Sequence, residues 1–300
     1  SSAKDAISTA DRACREAKQS RGSHLMVFEH DSRALQEHEA EILLAGQLTA
    51  SDELQGLYLE MQPIMSLREP ERSLNFEVLL RMRDAAGQSV PTPRLITAAE
   101  NSGRMGMIDR WVLRQTLAWM REQQRQLSHT RFICMNLSGA SLNDESFLQD
   151  AVQLLQRYAD VAPRLCLEIT EMVALAELGS SAGWIERLRR RGLRVALDDF
   201  GSGFASYAYL RHLPLDLLKI DGTFVRGIER DPINRAMVGS MVQIARQLGL
   251  RTVAEFVESA AAQDCLRELG IDYAQGYFIG RPHPLAELAD ALAAEPLLPR

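Results

Sequence analysis

Seven apolar runs in this chain of 300 residues carry, at or near their carboxyl ends, side chains able to hold a cation or handle a proton. Glu77 sits in NFEVLLR, Asn136 in ICMNLS, and Glu168 with Glu171 in CLEITE. Asp198 and Asp199 end RVALDD, Lys219 and Asp221 end LLKID, Glu255 lies in TVAEF and Gln275 in YAQGY. Any one of these is ordinarily a helix cap, a turn former or a surface group, and Asp221 before Gly222 reads as a turn residue. Seven together ask for a common explanation. Carboxylates gathered at one place raise one another's proton affinity unless cations neutralise them. Oxygen donors from carboxylates and an amide select hard divalent ions, Mg2+ or Mn2+, over zinc or copper. Two such ions about 3.5–4 Å apart are an apparatus for hydrolysing phosphate esters, one activating water and the other steadying the leaving oxygen.

Asp198 and Asp199 pose a local difficulty, because neighbours in a regular strand point to opposite faces. The expectation is that the strand ends at Asp198. Gly201 and Gly203 then supply the turn that lets both carboxylates converge.

The elements that must position these groups lie within residues 51–300. YLEMQPI, LNFEVLLRM, RFICMNLS, RLCLEIT, LRVALDD, DLLKID, RTVAEF and YAQGYFI read as eight strands. Between most of them lie amphipathic stretches with apolar residues near helical spacing, among them MIDRWVLRQTLAWMREQQRQL, DESFLQDAVQLLQRYA, AELGSSAGWIERLRRR and INRAMVGSMVQIARQLG. Strands alternating with helices imply a mainly parallel sheet. Eight strands are the number of a TIM-like (β/α)8 barrel, the fold class preferred here over an open doubly wound sheet. In a barrel the strand ends meet at one mouth, where active sites of this fold lie.

Residues 1–31 read differently: DAISTADRACREAK is an amphipathic helix and RGSHLMVFEH a turn and strand. DSRALQEHEAEILLAGQL follows as a second helix, so 32–50 are expected to link that piece to a domain over 51–300. The chain starts without Met, which points to an excised fragment of a longer protein.

Composition narrows the class. With 46% hydrophobic and 25% charged residues, and no apolar run near the ~20 residues that span a bilayer, a globular domain without membrane contact of its own is expected. The first residues are too charged to read as a secretory signal, so a cytoplasmic location is expected, with any membrane tether in segments outside this chain. Cys14, Cys134, Cys166 and Cys265 are too scattered for a zinc or redox pair and read as plain thiols of a reducing compartment. A net charge of −6 argues against a DNA or RNA polymer as partner. The basic run RLRRRGLR reads as a helix end, where cations suit the dipole.

In order along residues 57–284, LEMQPIMSL, FEVLLRMRD, NLSGASL, LEITE, ALDDFGSGFASYAYL, LKIDGTFV, VAEFVES and AQGYFIGRPHP resemble the EAL-domain phosphodiesterases that hydrolyse cyclic di-GMP. The tripeptide that names the family stands here as Glu77-Val78-Leu79. The resemblance implies a barrel whose first strand runs antiparallel and which carries two divalent ions, Mg2+ or Mn2+. It makes Glu77, Asn136, Glu168 and Asp198 metal ligands, with Asp198 shared and Asp199 serving the second ion. It places Glu255 in the same metal and water network and gives Lys219 the orientation or deprotonation of the attacking water. Glu171 would steady the DDFG loop, Gln275 would support the site, and Gln62 and Arg81 would contact the substrate's guanine and phosphate. The implied reaction yields linear 5'-pGpG, and the implied assembly is a homodimer.

Departures are few: Val78 replaces the usual alanine, Ser202 the usual threonine, and FASYAYL the commoner YSSLSYL. None removes a ligand. The amino-terminal piece resembles the end of a GGDEF-type diguanylate cyclase domain, which implies upstream GGDEF and sensor domains but no cyclase activity here, since the cyclase motif is absent. The competing function is a catalytically weak or inactive receptor that binds cyclic di-GMP, and the complete ligand set speaks against it. Reading Asp199-Phe200-Gly201 as a kinase DFG fails, because no Gly-rich loop, V-A-I-K strand or H-R-D loop precedes it.

Overall fold

The computed structural model describes residue 46 and residues 54–70, 73–176, 178–203 and 207–288, without the side chains of 178–182 and 208. The chain divides into two compact units, one of 1–53 with 93–102 and the other of 54–92 with 103–300. The expected cyclase remnant (1–31) and linker helix (32–50) lie outside the described residues, apart from Gly46, which is helical. A helix that the sequence reading did not anticipate, α1 (Thr92–Asn101), falls within the first unit from Pro93 onward.

The second unit is the barrel. β1 (Leu57–Ser66) and β2 (Leu74–Arg83) form an antiparallel pair in register from Leu57 opposite Met82 to Met65 opposite Leu74. β3 (Ser89–Val90) adds a short edge to β2. β4 (Ile133–Asn136), β5 (Leu165–Thr170), β6 (Arg194–Phe200), β7 (Leu217–Ile220), β8 (Arg251–Ala254) and β9 (Tyr273–Gln275) then follow β2 in parallel order. β9 pairs antiparallel with β1, Ile64 opposite Gln275, which closes eight strands into a ring. β10 (His283–Pro284) pairs antiparallel with β1 beyond the end of β9, Glu60 opposite Pro284. Closure leaves the eight strands without a free edge. All eight strands expected from the sequence are present, and the first is antiparallel to both neighbours, as the resemblance implied.

The crossovers are helices with legible ends. α2 (Met105–Glu122) turns Ile108, Val112, Leu117 and Met120 inward at helical spacing. After α3 (Gly139–Leu142) comes α4 (Glu145–Arg157), whose cap Asp144 accepts from the Ser146 amide. α5 (Glu171–Ala176) leads to α6 (Leu178–Arg189), which ends on Arg187 and Arg189 as the basic run predicts. α7 (Gly222–Val225) is capped by Asp221, the turn role expected of it. α8 (Pro232–Gln247) opens with Pro232 behind the cap Asp231, and α9 (Ala260–Leu269) stops at Gly270, which is left-handed with φ 84°.

Inside the ring, Ile64, Phe132, Cys134, Cys166, Ala196, Leu217, Val253 and Tyr273 pack as one buried cluster. Fully burying a large apolar side chain of this kind contributes about 1.5–3 kcal/mol. Cys134 and Cys166 face each other across β4 and β5, and with Cys265 they are free thiols. Among the described residues no helix is long and apolar enough to cross a membrane.

Candidate functional site

The period of two that buries this cluster also builds the site. Moving two residues toward the carboxyl end of each parallel strand replaces Cys134 by Asn136, Cys166 by Glu168, Ala196 by Asp198, Leu217 by Lys219, Val253 by Glu255 and Tyr273 by Gln275. On β1, which runs the other way, the step goes from Ile64 back to Gln62, directly opposite Glu77. One inward layer is apolar and the next carries the chemistry.

Lys219 stands at the centre of that layer, wholly buried. Its Nζ lies 2.8 Å from Glu255 Oε1, 3.0 Å from Glu168 Oε2, 3.0 Å from Asp198 Oδ1 and 3.3 Å from Glu77 Oε2. An ammonium has three protons to donate, so four carboxylates exceed what it can satisfy. Burial alone would push Lys219 down, but the charges of Asp198, Glu168, Glu255 and Glu77 outweigh it and hold the ammonium well above its ordinary value. The carboxyls show the converse. Burial pushes Glu168 well up, with Glu77 and Asp198 adding to the rise and Lys219 opposing it. Burial likewise pushes Glu255 up to about 8 against the pull of Lys219.

Asp199 enters by a route the sequence reading had wrong. The strand does not end at Asp198: β6 continues to Phe200, and the turn begins within it. Leu197 pairs with Leu218 and Phe200 with Ile220, so the register with β7 shifts between them, a bulge centred on Asp198 and Asp199. Asp199 itself is left-handed, φ 54°, a conformation Asp tolerates better than most residues. Both carboxylates thereby reach the mouth, where ligand oxygens of Asp198, Asp199 and Glu255 fall within 4.8 Å of one another. Burial, then the charges of Asp198 and Asp221, push Asp199 up. Gly201 follows with φ 96°, and its amide donates to Glu171 Oε2 at 2.9 Å. Glu171 is buried at the first turn of α5 and so ties the bulged segment of β6 to the helix that follows the preceding strand, β5.

The amides support Glu77. Gln275 Nε2 donates to Glu77 Oε2 at 2.6 Å and to Gln62 Oε1 at 3.2 Å, while Asn136 Nδ2 donates to Glu77 Oε1 at 3.0 Å. Gln62 in turn donates to the Gly280 carbonyl. Arg81 stands apart from the cluster, four residues beyond Glu77 on β2, roughly 13 Å along a strand. It is paired with Glu60 at 2.9 Å and donates to the Thr92 hydroxyl at 3.1 Å.

One contributor escaped the sequence reading. Asp109, buried on α2, accepts from the Ser138 amide and from the Ser138 and Ser141 hydroxyls, pinning the turn that follows Asn136. Its only signal was an acid on the apolar face of a helix.

The donor set fits divalent cations. Four carboxylates, Glu77, Glu168, Asp198 and Glu255, surround one ammonium, a fifth, Asp199, lies beside Asp198 and Glu255, and the buried Glu168 Oε1 has no hydrogen-bond partner. Every donor is oxygen, which suits a hard ion. Lys219 supplies part of the neutralisation that the sequence reading had assigned to cations alone.

The comparisons with known proteins bear on the fold that carries this site. Cyclic di-GMP phosphodiesterase PdeB of Shewanella oneidensis is 36% identical over 288 residues, 96% of this chain and 34% of that protein. Cyclic di-GMP phosphodiesterase PdeF of Escherichia coli K12 is 34% identical over 247 residues, 82% of this chain and 32% of that protein. The chain thus spans about a third of the length of these curated relatives. Among solved structures, the PaMucR phosphodiesterase in complex with c-di-GMP is 31% identical with a TM-score of 0.75, covering 82% of this chain and 99% of that one. The EAL domain family itself matches residues 46–282, so that the ring of strands, the ordered motifs and the carboxylate layer have one source: the chain belongs to the EAL domain family.

Proposed function

We propose that this chain hydrolyses cyclic di-GMP to linear 5'-pGpG in a reaction that requires divalent cations, Mg2+ or Mn2+. The observation that carries the reading is the layer of four carboxylates around buried Lys219, with Asp199 beside two of them, at the carboxyl end of the barrel strands. The relatives named as cyclic di-GMP phosphodiesterases support it.

Glu77, Asn136, Glu168, Asp198 and Asp199 are the residues that would hold two cations. When bound, these would supply Lewis acidity toward water and the phosphoryl oxygens. Lys219, centred among the carboxylates, orients the attacking water or helps to deprotonate it. Glu255, 2.8 Å from the Lys219 ammonium, is the carboxylate that in its ionised form can take the proton released as water attacks phosphorus. The 5'-phosphate product requires the P–O3' bond to break, with water oxygen taking its place on phosphorus and O3' leaving as a hydroxyl that takes up a proton. Gln275 fixes Glu77, and Glu171 fixes the Asp199 segment through Gly201. Gln62 presents an amide to a guanine edge, and Arg81 a guanidinium to phosphate once it leaves Glu60. The same reading takes the chain as the catalytic part of a longer cytoplasmic signalling protein with upstream GGDEF and sensor domains, acting as a homodimer.

The deciding experiment incubates the purified chain with cyclic di-GMP and Mg2+ or Mn2+ and resolves the products by chromatography. Linear pGpG is expected, and EDTA should stop its formation. Tight binding without turnover under all these conditions would replace the enzyme by a receptor.

A further inference from the structure

At the opposite end of the strands from the carboxylates, the charge reverses. A cavity of about 520 Å³ opens where β6, β7 and β8 begin, and five guanidinium groups line it: Arg131, Arg189, Arg194, Arg211 and Arg251. Phe132 and Tyr273, packed edge to face at 5.1 Å, separate it from the barrel interior. Three of the five cations are committed. Arg189 grips Asp216 with two bonds, 2.8 and 3.2 Å, Arg251 pairs with Asp272 at 2.8 Å, and Arg131 pairs with Glu69 at 2.6 Å. Arg194 donates to the Arg131 carbonyl and has no carboxylate partner among the described residues. Arg211 is exposed and likewise has none among them. Asp216, which also lines the cavity, is taken up by Arg189, so the two unneutralised guanidiniums leave it a net positive wall that favours an anion.

The neighbouring surface qualifies what kind of anion. A second cavity of about 560 Å³ shares Arg211 and Leu248 with the first, and its wall adds Tyr207, Ile244 and Arg246. The surface it offers is mostly carbon, although Gln243 and Gln247 also border it, and Tyr207 is exposed. A guanidinium-lined chamber beside an apolar one with an accessible aromatic ring matches a molecule that is polyanionic at one end and a flat ring at the other. Each chamber lies within the size range of small-ligand sites. Arg194 precedes Asp198 by four residues on β6, roughly 13 Å, so this site is separate from the carboxylate layer.

We propose that the two chambers form one binding site for a nucleoside polyphosphate, its phosphates on Arg194 and Arg211 and its base against Tyr207. Titration calorimetry of the full chain in EDTA tests this, because without divalent cations the carboxylate mouth repels anions. GTP and ATP are titrated beside pyrophosphate and guanosine. A nucleoside triphosphate should bind saturably at one site, tighter than pyrophosphate, and more weakly as salt rises. Arg211→Glu, an exposed change that breaks no ion pair, should weaken it at least tenfold, as should the Arg194→Gln/Arg211→Gln double variant. Tyr207→Ala should remove the advantage over pyrophosphate. The proposal is overturned if neither triphosphate binds, if Arg211→Glu binds as the wild type does, or if pyrophosphate equals the triphosphates, which would leave a bare phosphate site.

Discussion

Replacing Lys219 by Met deletes the ammonium while keeping much of the apolar stem, so it isolates the charge from the packing. Four carboxylates within 3.3 Å then lose their buried counter-ion. Removing one side of a buried ion cluster costs about 3–5 kcal/mol. For a domain of this size each kcal/mol moves the melting temperature by roughly 2–4 °C, so a fall on the order of 6–20 °C is expected. The assay is thermal and urea unfolding at pH 8 in EDTA, repeated with Mg2+ or Mn2+. A cation held at a hundred times its dissociation constant adds about 2.7 kcal/mol. It should stabilise the variant more than the wild type, since the bare carboxylates bind it more tightly. At pH 5, where protons neutralise the raised carboxyls, the loss should shrink. A loss below about 1 kcal/mol at pH 8, or equal stabilisation of both proteins by the cation, would refute the view that Lys219 is the cluster's counter-ion.

Glu77→Ala and Asp198→Asn should each abolish hydrolysis of cyclic di-GMP with the circular dichroism spectrum retained, and wild-type turnover by either would remove these residues from the cation site. Glu171→Ala strands the Gly201 amide, a cost of about 1–3 kcal/mol, so turnover should fall roughly tenfold to a hundredfold while the barrel stays folded; an unchanged rate would mean the Asp199 segment holds itself. Asp199→Asn keeps a residue that tolerates positive φ and should lose activity but not stability, whereas Asp199→Val should also lose about 1–2 kcal/mol, as urea titration of the pair will show. Because burial raises Glu255 to about 8, the native state holds a proton that the unfolded chain releases near its ordinary value of 4.5. The cation-free protein should therefore have this contribution in full below about pH 4.5 and lose it as pH rises through about 8. Cation-loaded protein should show the reverse, its ligands needing to be deprotonated, and melting temperatures that ignore pH in both states would contradict the assignment.

Much of this was legible in the sequence because a barrel repeats one rule. Alternation marked the strands, and the polar residue two steps past the last inward apolar one marked the site, so Glu168, Lys219 and Glu255 could be read from LCLEIT, LLKID and TVAEF. What could not be read was where the rule is broken. The bulge at Asp199 depends on the register between β6 and β7, a relation between distant segments, and the glycines after it drew attention to the wrong residues. The position of Lys219 among the carboxylates was hidden for a related reason: spacing tells which face a side chain takes, not which of four partners its flexible stem will reach. Asp109 was missed because its serines lie about thirty residues away.

Lys219 also bears on how such a protein is made. Small metallo-domains that gather bare ligands cannot fold until the metal arrives, and their biogenesis is bound to metal supply. Here the chain carries a cation of its own into the centre of the ligand layer, covalently attached and present as soon as β7 is synthesised. On the proposed reading, the barrel can then assemble before cations load the site.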